Sequence, residues 1–294
     1  LVLGCDGFNS IVARKTGVYR HDSRHLVVAL RRYYENVGGL TDQMELHFVD
    51  EVLPGYFWIF PLADGQANIG IGMLHKSLKK RHVDLRKALV SVISRPPFAD
   101  RFAEARPLED PVGWNLPVGS TRRKCCGDGF MLLGDAAGLI DPFTGEGIGN
   151  ALYSARFAAE VAAEAVEAGD FSARFLQHRY ERRLWDTLGD ELKISTRMQS
   201  LGRWRSLLDL AIRRAAGTVD LSSSVASSIN AAFGSDAIWS APLTTSDRWL
   251  ASSLNTCRLS NTQCMERPGS PRNAISITGR SGQRLTVTMG DAWV

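Results

Sequence analysis

The residues best suited to chemistry lie in one segment, 130–150, which reads FMLLGDAAGLIDPFTGEGIGN. Its apolar start, 130–133, is typical of a short buried strand, and Gly134 then permits a sharp turn into Asp135. Ligands of α/β sheets bind at the carboxyl ends of the strands. We therefore expect the Asp135 carboxylate to accept hydrogen bonds from the hydroxyl groups of a ligand.

Glycines and a proline form the second half of this segment, directly before a long helical pattern. The stretch from Pro142 to Gly149 contains three glycines, and the exposed N–H groups of a helix start suit a partial negative charge. A ligand with a polyol near Asp135 and an electron-rich ring near the helix start would fit both features. The alternative is a tight turn that uses small residues only for packing, but the length of the pattern favours a ligand.

A second candidate is the aromatic run at residues 54–61, which reads PGYFWIFP. In a strand, Tyr56, Trp58 and Phe60 share one face, and Pro61 follows them. Three aromatic rings on one face could form an apolar wall for a long hydrocarbon. An aromatic stripe of this spacing is more often part of a core, so spacing alone leaves both interpretations open.

Few side chains near this run could donate a proton to a substrate. Tyr56 carries a hydroxyl that can donate a proton or orient a substrate, and we name Tyr56 and Trp58 as the catalytic candidates. His47 and His75 are rivals, although lone histidines on strands are more often surface groups whose hydrogen bonds are satisfied.

The pattern G-D-A-A-G-x-x-x-P-x-x-G-E-G-I, from Gly134 to Ile148, is similar to the second flavin motif of the para-hydroxybenzoate hydroxylase-like flavoproteins. By position, the resemblance implies that Gly134 and Asp135 lie at the ribityl chain of FAD. The residues that it implies around the isoalloxazine ring are Pro142, Gly145, Glu146, Gly147 and Ile148. Residues 3–10, LGCDGFNS, resemble a G-A-D-G-x-x-S segment of the same superfamily. This second resemblance implies that Asp6 and Gly7 lie near the FAD pyrophosphate or the nicotinamide approach.

The pattern Y-x-W-x-F-P at 56–61, followed by NIGIG at 68–72, resembles the substrate-side motif of the geranylgeranyl reductases. That resemblance implies an FAD-dependent oxidoreductase that reduces isoprenoid carbon–carbon double bonds by hydride transfer from reduced flavin. It also implies an apolar isoprenoid substrate and NAD(P)H or another reductant as electron donor. The implied substrate-binding residues are Tyr56, Trp58, Phe60 and Pro61.

Two alternative functions stay open. A flavin-dependent monooxygenase or halogenase would act on an aromatic substrate, but halogenases carry W-x-W-x-I-P, from which residues 56–61 differ at two of four fixed positions. The other alternative is an inactive fragment of such a flavoprotein. The chain starts in what reads as mid-strand at Leu1, and no G-x-G-x-x-G follows a strand. We therefore expect it to lack the N-terminal dinucleotide-binding unit of the family.

The elements around these motifs predict an α/β (α+β) fold. Strand-like alternation predicts an antiparallel sheet over residues 26–73, with a hairpin at Ala63-Asp64-Gly65. Helices are predicted over 83–94, over about twenty residues after Gly145, over 171–187 and over 190–216.

These elements suggest a division of the chain into domains. Residues 1–22 and 119–170 form a partial, Rossmann-like FAD-binding domain, and 23–118 form an antiparallel-sheet substrate domain. C-terminal helices cover 171–216, and 217–294 form a poorly ordered tail. Within the tail we expect one isolated hairpin, over residues 274–289.

Composition excludes several classes of protein. The 294 residues are 44% apolar and 22% charged, which argues against collagen-like and disordered chains, and a net charge of +4 is too small to imply nucleic acid. The five cysteines are interpreted as free thiols of a reducing, cytoplasmic compartment, with no metal site. Peripheral membrane contact through the arginines of 179–214 is an alternative to a solvated helix face. The sequence does not predict an oligomeric state.

Overall fold

The computed structural model describes residues 1–19, 22–204, 206–208 and 210, and the backbone of residues 274–278 and 284–288. The strands are β1 Val2–Gly4, β2 Leu26–Glu35, β3 Met44–His47, β4 Tyr56–Pro61, β5 Ala67–Leu74, β6 Arg106–Pro107, β7 Val112–Pro117, β8 Cys126–Gly127, β9 Phe130–Leu132, β10 Ala274–Thr278 and β11 Arg284–Thr288. The helices are α1 Ile11–Lys15, α2 His75–Arg81, α3 Leu85–Ile93, α4 Ala99–Phe102, α5 Gly134–Ala137, α6 Ile148–Ala168, α7 Ala173–Leu176 and α8 Arg182–Leu201, with a π-helical turn, Gln177–Glu181, between the last two.

The larger sheet has eight strands in the order β11-β10-β3-β4-β5-β2-β6, and β7 also pairs with β2. The pairs β3–β4, β4–β5 and β5–β2 are antiparallel, which confirms the sheet predicted over 26–73. The hairpin between β4 and β5 forms at the predicted residues, where Asp64 adopts a left-handed conformation with φ of 58°. The helix predicted over 83–94 is present as α3.

The two faces of β4 differ in burial. Phe57 and Ile59 are fully buried and pack in one core with α3, while Tyr56, Trp58 and Phe60 alternate with them on the other face and are only half-buried. Small residues of β5 lie opposite two of these rings, because Tyr56 pairs with Gly72 and Trp58 with Gly70. The aromatic stripe is therefore not the core face of the sheet.

The smaller sheet has the order β1-β9-β8, with β1 parallel to β9. Its core is shared with α6, α7 and α8. The end of β9 lies close to α6, since a Cβ on Gly134 would be 3.0 Å from the Cβ of Ala151. Ser154 of α6 fixes this approach, because its hydroxyl accepts a hydrogen bond of 3.0 Å from the Gly134 N–H.

Two predictions about the C-terminal part of the chain were wrong. The helical run from α7 to α8 is continuous through Leu188 and Gly189, where the sequence had predicted a break, and α8 ends at Leu201. Both residues are buried, and the packing of this face outweighs the low helix propensity of Gly189. The hairpin of β10 and β11 is not isolated, because β10 pairs in parallel with β3. The rest of the predicted tail lies outside the described residues.

Within the part of the chain that the structure describes, no helix has the length and apolar character needed to cross a bilayer.

Candidate functional site

The turn before α6 is held rigidly by side chains on both sides of it. The Oδ1 of Asp141 accepts hydrogen bonds from the N–H groups of Phe143 and Thr144, at 2.9 and 2.7 Å, and from the Thr144 hydroxyl at 2.9 Å. From α8, the side-chain amide of Gln199 donates to the carbonyl of Pro142. Neither Asp141 nor Gln199 was predicted from the sequence. The Asp-Pro pair is a recognisable turn signal, whereas nothing in the sequence marks Gln199.

The start of α6 presents free backbone donors. The N–H groups of Gly147 and Ile148 have no acceptor among the described residues, and the Ile148 side chain is 77% exposed. The next N–H, of Gly149, donates to the carboxylate of Glu146 at 2.7 Å. The Glu146 side chain, predicted beside a ring, therefore caps the helix. The two free donors sit at the positive end of a 21-residue helix, where negative charge is favoured.

Asp135 adjoins this helix start. A Cβ on Gly147 would lie 3.5 Å from the Asp135 Oδ1 and 3.0 Å from the Ile140 side chain, so only glycine leaves this space open. The half-buried Asp135 carboxylate receives no hydrogen bond from any described group, and burial alone raises its pKa. A partly desolvated carboxylate without a donor gains from new hydrogen bonds, which the hydroxyl groups of a polyol would supply.

A row of aromatic rings runs from the turn along the open face of β4. Phe143 stacks on Phe48 at 6.1 Å between ring centroids, and Phe48 meets Tyr56 at 6.3 Å. Tyr56 to Trp58 and Trp58 to Phe60 are each 6.0 Å. The predicted face-sharing of the β4 aromatics is present, and Phe48 and Phe143 extend the wall to the turn. We call these five residues the aromatic row.

The polar atoms of the aromatic row are already bonded within the protein. The Tyr56 hydroxyl donates to the carbonyl of Thr144, and burial together with the nearby Asp141 charge raises the Tyr56 pKa. The Trp58 indole N–H donates to the Asn68 Oδ1 at 3.1 Å. The Trp58 ring also lies directly on Gly70, where a Cβ would approach it to 2.0 Å. Tyr56 therefore ties the sheet to the glycine turn, and Trp58 is fixed as a wall.

His47 is not the surface group that the sequence suggested. It is buried, and it pairs with Phe57 across β3 and β4, which places it on the face opposite the aromatic row. Its Nε2 lies 2.9 Å from Glu45, which also accepts two bonds of 2.8 Å from Arg101. Burial opposes ionisation of Glu45, but these bonds outweigh it and lower the Glu45 pKa to about 2. His75, the other rival, begins α2.

The predicted residues Asp6 and Gly7 lie in the turn before α1. The Asp6 Oδ2 accepts from the N–H groups of Ile11 and Val12 at 2.7 and 3.2 Å, and the Ser10 hydroxyl accepts from Ala13 at 2.9 Å. Partial burial raises the pKa of Asp6, but the hydrogen bonds outweigh it and the net shift is downward. Asp6 is thus a helix cap in the structure, and its predicted place near FAD stays a prediction.

No group of three or more His, Cys, Asp or Glu side chains among the described residues could hold a metal ion. Cys5, Cys125 and Cys126 are free thiols. Cys257 and Cys264 lie outside the described residues.

Comparisons with known proteins bear on this arrangement. Residues 26–103 match the family model described as the geranylgeranyl reductase catalytic domain. The chain is 35% identical over 205 residues to digeranylgeranylglycerophospholipid reductase 2 of Methanopyrus kandleri, covering 68% of this chain and 50% of that protein. It is also 35% identical over 231 residues to the reductase of the same name from Methanothermobacter thermautotrophicus, covering 76% and 56%. The chain thus spans about half the length of the curated relatives it matches.

Solved structures share the fold. A geranylgeranyl bacteriochlorophyll reductase-like protein from Thermoplasma acidophilum superposes with a TM-score of 0.71 at 26% identity, covering 79% of this chain and 59% of the other. A flavin-dependent brominase superposes with a TM-score of 0.57 at 19% identity, covering 69% and 53%, and shows likeness of fold alone. These comparisons confirm the fold class and the family resemblance expected from the motifs.

Proposed function

We propose that this relative of the geranylgeranyl reductases is the flavin- and substrate-binding part of an FAD-dependent reductase of isoprenoid carbon–carbon double bonds. The observation that carries the proposal is the aromatic row, which starts at the glycine turn and continues along the open face of β4. An apolar wall that begins beside the glycine turn can hold a hydrocarbon chain next to a flavin ring bound at that turn.

The residues present fit the flavin half of FAD. Asp135 offers a carboxylate with no described donor, which suits the ribityl hydroxyls. The free N–H groups of Gly147 and Ile148 suit the electron-rich edge of the ring. Bound and reduced, FAD would supply the hydride for one carbon of the alkene.

The residues of this chain would position the alkene, exclude water and deliver a proton to the second carbon. Phe48, Trp58 and Phe60 supply apolar contact that orients the chain and keeps water away. Tyr56 was predicted as the proton donor, and its hydroxyl already donates to Thr144. We therefore propose that the main role of Tyr56 is to hold the turn against the sheet, and that proton donation is its alternative role.

The substrate class that we propose is an isoprenoid lipid, because the curated relatives are named as reductases of a digeranylgeranylglycerophospholipid. NAD(P)H or another reductant would supply the electrons. We also propose peripheral contact with a membrane as the way such a lipid reaches the site. Arg179, Arg182 and Arg183 already pair with Glu164, Asp186 and Glu160, so these three arginines are less available for that contact.

The test is anaerobic turnover of a lipid alkene. The chain is mixed with FAD, freed of excess cofactor, reduced with dithionite and incubated with digeranylgeranylglycerophospholipid in micelles. We expect the lipid to gain two hydrogens per reduced double bond in mass spectrometry. A Trp58→Ala variant should raise KM, whereas Trp204→Ala, which removes a tryptophan that is 66% exposed, should not.

Two results would refute the proposal. Protein that remains colourless after incubation with FAD would favour an inactive fragment. Turnover that needs oxygen and modifies an aromatic compound would favour the monooxygenase or halogenase alternative.

A further inference from the structure

A concave region is lined in part by Asp135. It is a small cleft between residues 18, 19 and 22–26 on one side and the chain around 117–124 on the other. Besides the two carboxylates of Asp22 and Asp135, its lining combines aromatic with basic side chains, namely Phe8, Tyr19, His25, Arg123 and Lys124. None of these five residues has a part in the function proposed above.

Arg123 is the central cation of this cleft. Its Nη2 donates to the carbonyl of His25 at 3.0 Å, and its Nη1 lies against Gly138, where a Cβ would approach it to 2.1 Å. No described carboxylate lies within 4.0 Å of the guanidinium. Burial lowers the Arg123 pKa, and only the more distant charges of Asp22 and Tyr19 oppose that shift. A half-buried cation without a close counter-charge is costly, and a bound anion would offset the cost.

The charged side chains near Arg123 do not neutralise its guanidinium, so an external anion can bind there. Asp22, the nearest acid, is engaged by the guanidinium of Arg24, with bonds of 3.1 and 2.7 Å. The His25 Nδ1 is 2.7 Å from the Ser120 hydroxyl, and its Nε2 is 3.9 Å from Asp22. Lys124 is exposed at the rim. The cleft therefore offers an anion the planar guanidinium of Arg123 and the exposed ammonium of Lys124, with the His25 ring beside them.

We propose that the cleft between His25 and Arg123 binds the phosphate group of a small-molecule ligand. A guanidinium binds phosphate oxygens with a fixed fork of donors, and a lysine adds a point charge. The inference rests on the proposed function, because that function supplies two phosphate-bearing molecules. One is a nicotinamide dinucleotide donor, and the other is the phosphoglycerol headgroup of the lipid.

The test measures binding rather than turnover, using the FAD-loaded chain and two adjacent arginine variants. Arg123→Gln removes the cleft cation, whereas Arg122→Gln removes an exposed arginine that lies over Trp185, 5.5 Å from its ring centroid. Calorimetry is run with inorganic pyrophosphate, NADP⁺, NAD⁺ and glycerol phosphate. We expect Arg123→Gln to weaken pyrophosphate binding at least about tenfold, as for the loss of a charge-assisted hydrogen bond. Arg122→Gln should stay within about twofold of the wild type.

The ligand series separates the two sources of phosphate. Tighter binding of NADP⁺ than of NAD⁺ and glycerol phosphate assigns the cleft to the donor. Tighter binding of glycerol phosphate assigns it to the lipid headgroup. Either result supports the proposal. If Arg123→Gln does not fold by circular dichroism, Lys124→Gln takes its place with an expected loss of about threefold.

Three results would overturn the inference. The first is that the wild type binds none of the four ligands, and the second is that the two arginine variants weaken binding equally. The third is that Arg123→Gln loses its flavin absorbance, because the cleft would then hold the phosphates of FAD itself. Dithionite-driven alkene reduction is measured in parallel and needs no dinucleotide. The experiment therefore distinguishes a failure of the phosphate-binding inference from a failure of the proposed function.

Discussion

Replacing Tyr56 by phenylalanine separates two roles for its hydroxyl, which could hold the glycine turn or donate a proton to the substrate. In the structure the hydroxyl donates to the Thr144 carbonyl, and the turn behind that carbonyl leads to the free donors of Gly147 and Ile148. One such hydrogen bond contributes about 1 kcal/mol. If the bond holds the turn, Tyr56→Phe should weaken FAD binding about fivefold and change kcat by no more than a few fold.

A proton donor would give a different pattern. Loss of a general acid lowers the rate by about 10² to 10⁴, with flavin binding unchanged. The raised pKa of Tyr56 keeps the phenol protonated, so the wild-type rate should show no ionisation of this group between about pH 6 and 9.

The assay combines a flavin fluorescence titration with anaerobic single turnover of the lipid alkene. Tyr33→Phe is the matched control, because Tyr33 lies on the same face of the sheet, opposite Asn68, and its hydroxyl makes no described hydrogen bond. Should Tyr56→Phe lose more than about 10²-fold in kcat while it retains wild-type flavin affinity, the reasoning from the Thr144 bond is wrong.

Three further predictions concern the supports of the site. Gly70→Ala should displace the Trp58 ring and cost about 1–3 kcal/mol in urea unfolding; an unchanged Trp58 environment in fluorescence would contradict this. Arg101→Met should cost about 3–5 kcal/mol, because it leaves the buried Glu45 carboxylate without its guanidinium. Since the folded-state pKa of Glu45 is lowered to about 2, its contribution is complete above pH 4.5 and lost toward pH 2, and acid titration of the wild type checks this. Asp141→Ala removes the acceptor of three hydrogen bonds and should lower flavin occupancy, while wild-type absorbance would refute that role.

Local patterns in the sequence predicted the parts of the site that depend on local structure. The alternation of Tyr56, Trp58 and Phe60 requires only the two-residue period of a strand. The turn from Pro142 into α6 follows from glycines and helix-start chemistry. Phe48 and Phe143 were missed, because their stacking depends on how β3 meets the turn, which no local pattern encodes.

The errors arose where long-range packing outweighs local preference. From the sequence, His47 is predicted to be a surface residue. In the structure Arg101, which follows α3 in the chain, donates to Glu45, and its charge makes the burial of Glu45 and His47 tolerable. Gly189 reads as a helix end, but it stays helical in a buried face beside Trp185. The pairing of β10 with β3 joins strands more than two hundred residues apart, and the alternation of side chains within one strand does not indicate which other strand it pairs with.

The bond from Gln199 to the Pro142 carbonyl has a consequence for the order of events during biosynthesis. The two residues are 57 positions apart, so the ribosome has made the glycine turn well before the amide that fastens it. Until the end of α8 has emerged and docked, a nascent chain has a loosely fixed cofactor pocket. Flavin capture should therefore come late, completed only after this helix closes on the turn.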